Sequence, residues 1–199
     1  MTPTQARAAR RSRRNRRRRM FRFSAFIAIA VISFLFVASL FAGSLPISIG
    51  SSNTPPTDIG EVFPEQPYAP HVDPGQSHPP YNTVPATSGW HVGAPAGPTQ
   101  WGVYDRFIGD EILVHNLEHG GVGIHYDCPE GCPELVAQLS AIAKRAPKVV
   151  MSPYPGMETR IALTAWRVLD KLEVFDEARV TDFVDAHRNS QRAPEYFAQ

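Results

Sequence analysis

No acidic residue occurs before Asp58, so a formal net charge of +1 hides two parts of opposite sign. Ten of the twenty basic residues are arginines between Arg7 and Arg22; after position 23, ten basic residues face nineteen acidic ones, a balance of −9. From Arg7 to Arg19 the arginine run has no aromatic interleaving, which argues against a nucleic-acid surface. Also missing are a glycine-rich phosphate loop, a Gly-x-Ser-x-Gly elbow around Ser88, Ser152 or Thr164, and any internal repeat, so nucleotide-binding and serine-hydrolase readings have no support. Cysteine is nearly absent: Cys128 and Cys132 are the whole complement.

Ser24 to Gly43 follows the arginines without a single charge and is rich in Phe, Ile, Val, Leu and Ala. A stretch of that length, at ~1.5 Å per helical residue, matches a hydrocarbon core of ~30 Å, and the expectation is one transmembrane helix. The positive-inside rule keeps residues 1–23 in the cytoplasm, against anionic lipid headgroups, and sends everything after Gly43 outside the cell membrane. The run is longer than a signal-peptide core, although its end at Ala42-Gly43-Ser44 leaves cleavage open.

Between Leu45 and Pro98 lie twelve prolines. That density excludes a helix, and residues 44–70 are expected to form an extended extracytoplasmic linker. Trp90, Trp101, Tyr104 and Phe107 are too many aromatics for a free linker, so the segment from Ser88 to Ile108 should pack on a domain spanning 71–199.

Within that domain, Glu111 to His115 and Val122 to Tyr126 suggest two strands of a hairpin around Asn116 to Gly121. Pro133-Glu134 opens a helix that ends at Lys144-Arg145, with Leu135, Val136, Leu139 and Ile142 on one face. Lys148 to Met151 and Ile161 to Trp166 suggest further strands, and Asp176 a cap for a last helix carrying Val180, Phe183, Val184 and His187. The expected fold is α+β: a single small domain of short antiparallel strands and two helices, following the transmembrane helix and the linker.

Most of the chemistry lies in His115-Asn116-Leu117-Glu118-His119-Gly120-Gly121. Imidazole and carboxylate bind divalent metals or move protons near neutral pH. His115-x-x-Glu118-His119 matches the inverted zinc protease pattern, but that motif needs a helix and the hairpin reading denies it one. On a straight strand His115 and His119 would stand about 13 Å apart, so a bend must join them, with His91 or His78 supplying further ligands. The rival reading is that the cluster only ties down a loop by hydrogen bonds. His71, His125 and His187 have no neighbours in sequence that suggest a site.

Cys128-Pro129-Glu130-Gly131-Cys132-Pro133 between a strand and a helix resembles the copper-chaperone Sco proteins, whose paired thiolates would take Cu(I). In an oxidising compartment the same pair closes a local disulfide, which is the default.

Three blocks together, Pro85 to His91, His115 to Gly121 and Ala162 to Trp166, resemble the bacterial family DUF-3105, a domain of unknown function whose members also have a basic start and one span. The resemblance covers about Gln76 to the C-terminus, departs from the family's usual first block at Ala86 and Trp90, and implies no activity. It points to His91, His115, Glu118 and His119. It also implies that the Cys128–Cys132 loop is a local addition, which favours a disulfide over a copper chaperone. The function expected is binding of copper or zinc by those four residues; the alternatives are a noncatalytic envelope interaction module and a metal-dependent hydrolase with Glu118 as base.

Overall fold

The computed structural model describes residues 59–66 and 71–198. The basic tail, the expected span at 24–43 and most of the linker lie outside the described residues; among those described, no helix is long and apolar enough to cross a membrane.

Six strands form one mixed sheet: β1 Glu61–Val62, β2 Gly102–Val103, β3 Val122–Tyr126, β4 Val149–Pro153, β5 Ile161–Ala165 and β6 Val168–Leu172, in the order β1-β6-β5-β3-β4-β2. The expected all-antiparallel pairing is corrected here. β3 and β4 run parallel, from Val122 opposite Val149 to Tyr126 opposite Pro153, because a helix carries the chain from the end of one back to the start of the other. β2 joins β4 in parallel, while β5 and β6 pair antiparallel across the short turn at Trp166-Arg167. The sheet also recruits Glu61–Val62, from the stretch assigned to the linker, as an edge strand on β6.

Three helices are described rather than two: α1 Asp110–Glu118, α2 Pro133–Arg145 and α3 Glu177–His187. α2 begins at Pro133 and ends on Lys144 and Arg145, as its sequence implies. The Asp176 side chain caps α3 by accepting from the Arg179 backbone N–H. α1 replaces the expected first hairpin strand. Acidic Asp110 and Glu111 occupy its first turn, and Leu113, Val114 and Leu117 are buried at helical spacing.

Strand alternation divides the core. Val122 and Ile124 of β3, Val149 and Met151 of β4, and Ile161 and Leu163 of β5 bury themselves with Leu139 and Ile142 of α2 and Val180 and Phe183 of α3. Residues of opposite parity, Val150, His125, Ser152, Ala162 and Thr164, form the other face. There α1 contributes Leu113 to a small cluster with Ile108 and Val150, and Val114 and Leu117 to another with Ala86 and Trp166.

Candidate metal centre

The end of α1 is set by its two glycines. Gly120 has φ 74°, its N–H donates to the Leu117 carbonyl at 2.9 Å, and the Gly121 N–H donates to the Asn116 carbonyl at 3.0 Å. This pair of bonds is a Schellman stop, which requires the left-handed residue that glycine supplies cheaply. A side chain at Gly121 would run into the Trp101 ring, so the close approach suggested by the diglycine is real. His119 is the last residue before the stop, and His115 and His119, one turn apart, meet with ring centroids 4.7 Å apart. A helix therefore does what the strand reading needed a bend to do.

Side chains of α1 fasten the proline-rich segment above it. Asn116 accepts from the Thr99 N–H at 3.0 Å and donates to the Thr99 carbonyl at 2.9 Å. Asp110 accepts from the Ala86 N–H at 3.2 Å and from the Tyr154 hydroxyl at 2.8 Å. The His115 Nδ1–H donates to the Val92 carbonyl at 2.6 Å, which leaves Nε2 as the nitrogen with a lone pair to offer.

That fastening brings His91 over the helix. Its Nδ1–H donates to the Gly89 carbonyl at 2.8 Å, and its Nε2 lies 2.9 Å from a Glu118 carboxylate oxygen. Both side chains are 1% exposed. Burial by itself pulls the His91 proton off, but the hydrogen bonds to Glu118 and Gly89 outweigh it and raise the pKa above the ordinary histidine value. His115 shifts the other way, lowered chiefly by burial and also by the neighbouring His119 and His91. The arrangement thus favours protonation of His91 beside Glu118 and disfavours it at His115.

Ligand-type atoms of His115, Glu118 and His119 all lie within 4.8 Å of one another, and so do those of His71, His91 and His115. The first group and His91 are the four residues singled out by sequence; all four are buried and adjacent. His119 Nδ1 is buried with no hydrogen-bond partner, an arrangement that costs free energy unless something else occupies its lone pair. Its Nε2 faces Glu195, at 3.4 Å, on the C-terminal segment. Lys148 holds that segment in place by donating to the carbonyls of His119, Tyr196 and Ala198.

Two sequence expectations are corrected. His78, offered as an alternative to His91, lies apart from the cluster: it stacks on Trp90 at 5.5 Å and pairs with Glu111 at 3.4 Å, on a different part of the segment. His71, read as isolated, stacks on His115 at 4.9 Å and meets His91 edge-on at 5.0 Å. The cause is a parallel bridge between Val72 and Val92. The repeated dipeptide His-Val at 71–72 and 91–92 was the one signal that could have aligned them.

The remaining histidines lie outside the cluster. His125 Nε2 bonds the Thr164 hydroxyl at 2.9 Å, and His187 Nε2 donates to the Ile59 carbonyl at 2.7 Å. Cys128 and Cys132 form the expected disulfide, and no cysteine is free. The two thiolates that a Sco-like Cu(I) site needs are therefore absent in this form.

The family described as "Protein of unknown function (DUF3105)" matches residues 71–199, a span that contains all five residues of the cluster. No curated protein and no solved structure matches the chain.

Proposed function

The chain belongs to the DUF3105 family, a description that carries no activity, and we propose from the site itself that the domain binds one transition-metal ion, copper or zinc, through His91, His115, Glu118 and His119. The observation that carries this reading is the convergence of the His115, Glu118 and His119 ligand atoms within 4.8 Å inside the protein. Ligands at ~2.0–2.1 Å from a tetrahedral ion stand ~3.4 Å apart, so binding draws these groups inward by at most about 1.4 Å. Imidazoles with one carboxylate suit zinc or copper better than hard cations such as magnesium. Carbonyls already orient two of the rings, as Nδ1 donors do in metal sites.

In this proposal the domain stands outside a cell membrane on a single N-terminal span, with the arginine tail against anionic lipid. The Cys128–Cys132 disulfide supports an oxidising compartment. A hydrolase with Glu118 as base is disfavoured by the burial of that carboxylate against His91, which leaves a substrate no approach. The structural reading keeps one specific support, since the His91–Glu118 pair ties the proline-rich segment to α1 without any ion.

Elemental analysis of the detergent-purified full chain separates the two. The expected result is one equivalent of copper or zinc in wild type, lost in His115→Ala and His119→Ala. Wild-type protein that stays metal-free after incubation with either ion would leave the structural reading standing.

A further inference from the structure

His71 differs from every other member of the cluster in being exposed. It makes ring contacts with His91 and His115 but no hydrogen bond among the described residues. Its ring lies against Gly93, where a Cβ would come within 2.7 Å of Nδ1, so the position next to it has no room for a side chain. The Val72–Val92 bridge and the Val72 N–H to His91 carbonyl bond of 2.9 Å fix its place beside His91. His71 is thus an exposed histidine set beside two buried ones by backbone pairing and ring contact.

The two groups of converging ligand atoms share His115. One consists of His71, His91 and His115 and reaches the surface; the other consists of His115, Glu118 and His119 and is buried. His91 Nε2 also touches Glu118, so the groups adjoin along a second edge. An ion held by His91 and His115 can exchange His71 for Glu118 and His119 without ever losing all of its protein ligands. Replacing ligands one at a time avoids the bare-ion state that makes release from a closed site slow.

Resting on the metal-binding reading above, we infer that the centre has an outer and an inner position sharing His115, and that ions enter and leave through the outer one by way of His71. The domain is then an exchange protein, which accepts a weakly held copper or zinc ion from one carrier and yields it to another chelating partner. A store would bury all of its ligands; this centre keeps one at the surface.

The test is stopped-flow loading of the detergent-purified full chain with Zn(II), followed by release to excess chromogenic chelator. His71→Ala should retain one equivalent at equilibrium yet load and release about tenfold more slowly, an effect the size of losing an auxiliary metal contact. Gly93→Ala should act alike, because its methyl group displaces the His71 ring without removing it. Glu158→Gln, an exposed carboxylate paired with Lys171 away from the cluster, should leave exchange rates unchanged. Wild-type kinetics in His71→Ala would overturn the inference, as would loss of the bound equivalent, which would make His71 an ordinary ligand of a single position. Failure of the wild type to bind any metal would instead sink the metal reading itself, a result the equilibrium measurement reports before any kinetics.

Discussion

On one face of the sheet, α2 and α3 press Leu139, Val180 and Phe183 against Ile124, Met151 and Leu163; on the other, α1 and the proline-rich segment enclose His91, His115, Glu118 and His125 among small apolar clusters. The first face draws its stability from area, at about 1.5–3 kcal/mol for each large side chain taken out of water. Its contacts are non-directional and tolerate small shifts. The second gains less from area and depends on geometry, because each buried polar atom needs its partner or costs free energy. It accordingly spends helix side chains, Asp110, His115 and Asn116, on backbone groups of the overlying segment. The first face is built on apolar area, and the second holds the histidine–glutamate cluster.

Breaking the apolar face should have the largest effect. Phe183, fully buried, should cost about 3–5 kcal/mol when replaced by alanine, read as the shift in urea unfolding, while the fraction that remains folded keeps its metal content. Loss of metal at native-like folding would mean the two faces are not separable.

Acid should break the polar face next. Burial pushes the His125 pKa down to about 3, so this base stays neutral in the folded protein while the unfolded chain takes up a proton near its ordinary value. Its folded pKa being depressed, stability is intact above about pH 6.5 and declines as pH falls toward 3, by about 1.4 kcal/mol per pH unit at full slope. His115 and His187, also lowered, act in the same direction, while the raised pKa values of Asp110 and, above about pH 6.5, of His91 oppose them. Chemical denaturation across that range should show the decline, and His125→Gln should flatten it. An unchanged slope in that variant would assign the acid sensitivity elsewhere.

A smaller change sharpens the comparison at the helix end. Gly120→Ala puts a methyl group on a residue at φ 74°, with Tyr196 Cα 3.1 Å away, and should cost roughly 1–2 kcal/mol. Because His119 precedes this stop, metal affinity should fall along with the unfolding midpoint; a fall in stability alone would show that the helix end does not position the ligand.

The sequence located α2 and α3 because their signals are local: Pro133 at a first turn, Asp176 at a cap, and apolar residues at helical spacing over three turns. α1 was harder. Ile112, Leu113 and Val114 are consecutive apolar residues, which a buried strand and a buried helix share, and nine residues give the helical period little length to assert itself. The acids before them and Gly120 after them favoured a helix, and packing of Leu113, Val114 and Leu117 decided it. The site residues were legible by type, with His91, His115, Glu118 and His119 gathered as anticipated. His71 was not, since only strand pairing to His91 makes it a neighbour.

By itself the sequence determined which groups are present, that two cysteines four positions apart close a loop, and where helices begin when a proline or an aspartate marks them. Those features act over a few bonds, so neighbours along the chain suffice to specify them. Tertiary structure alone decided that β3 and β4 run parallel, that the His115 segment is a helix, and that His71 joins the cluster. Each of those outcomes depends on burial shared between segments far apart in the chain, an energy that no single segment carries.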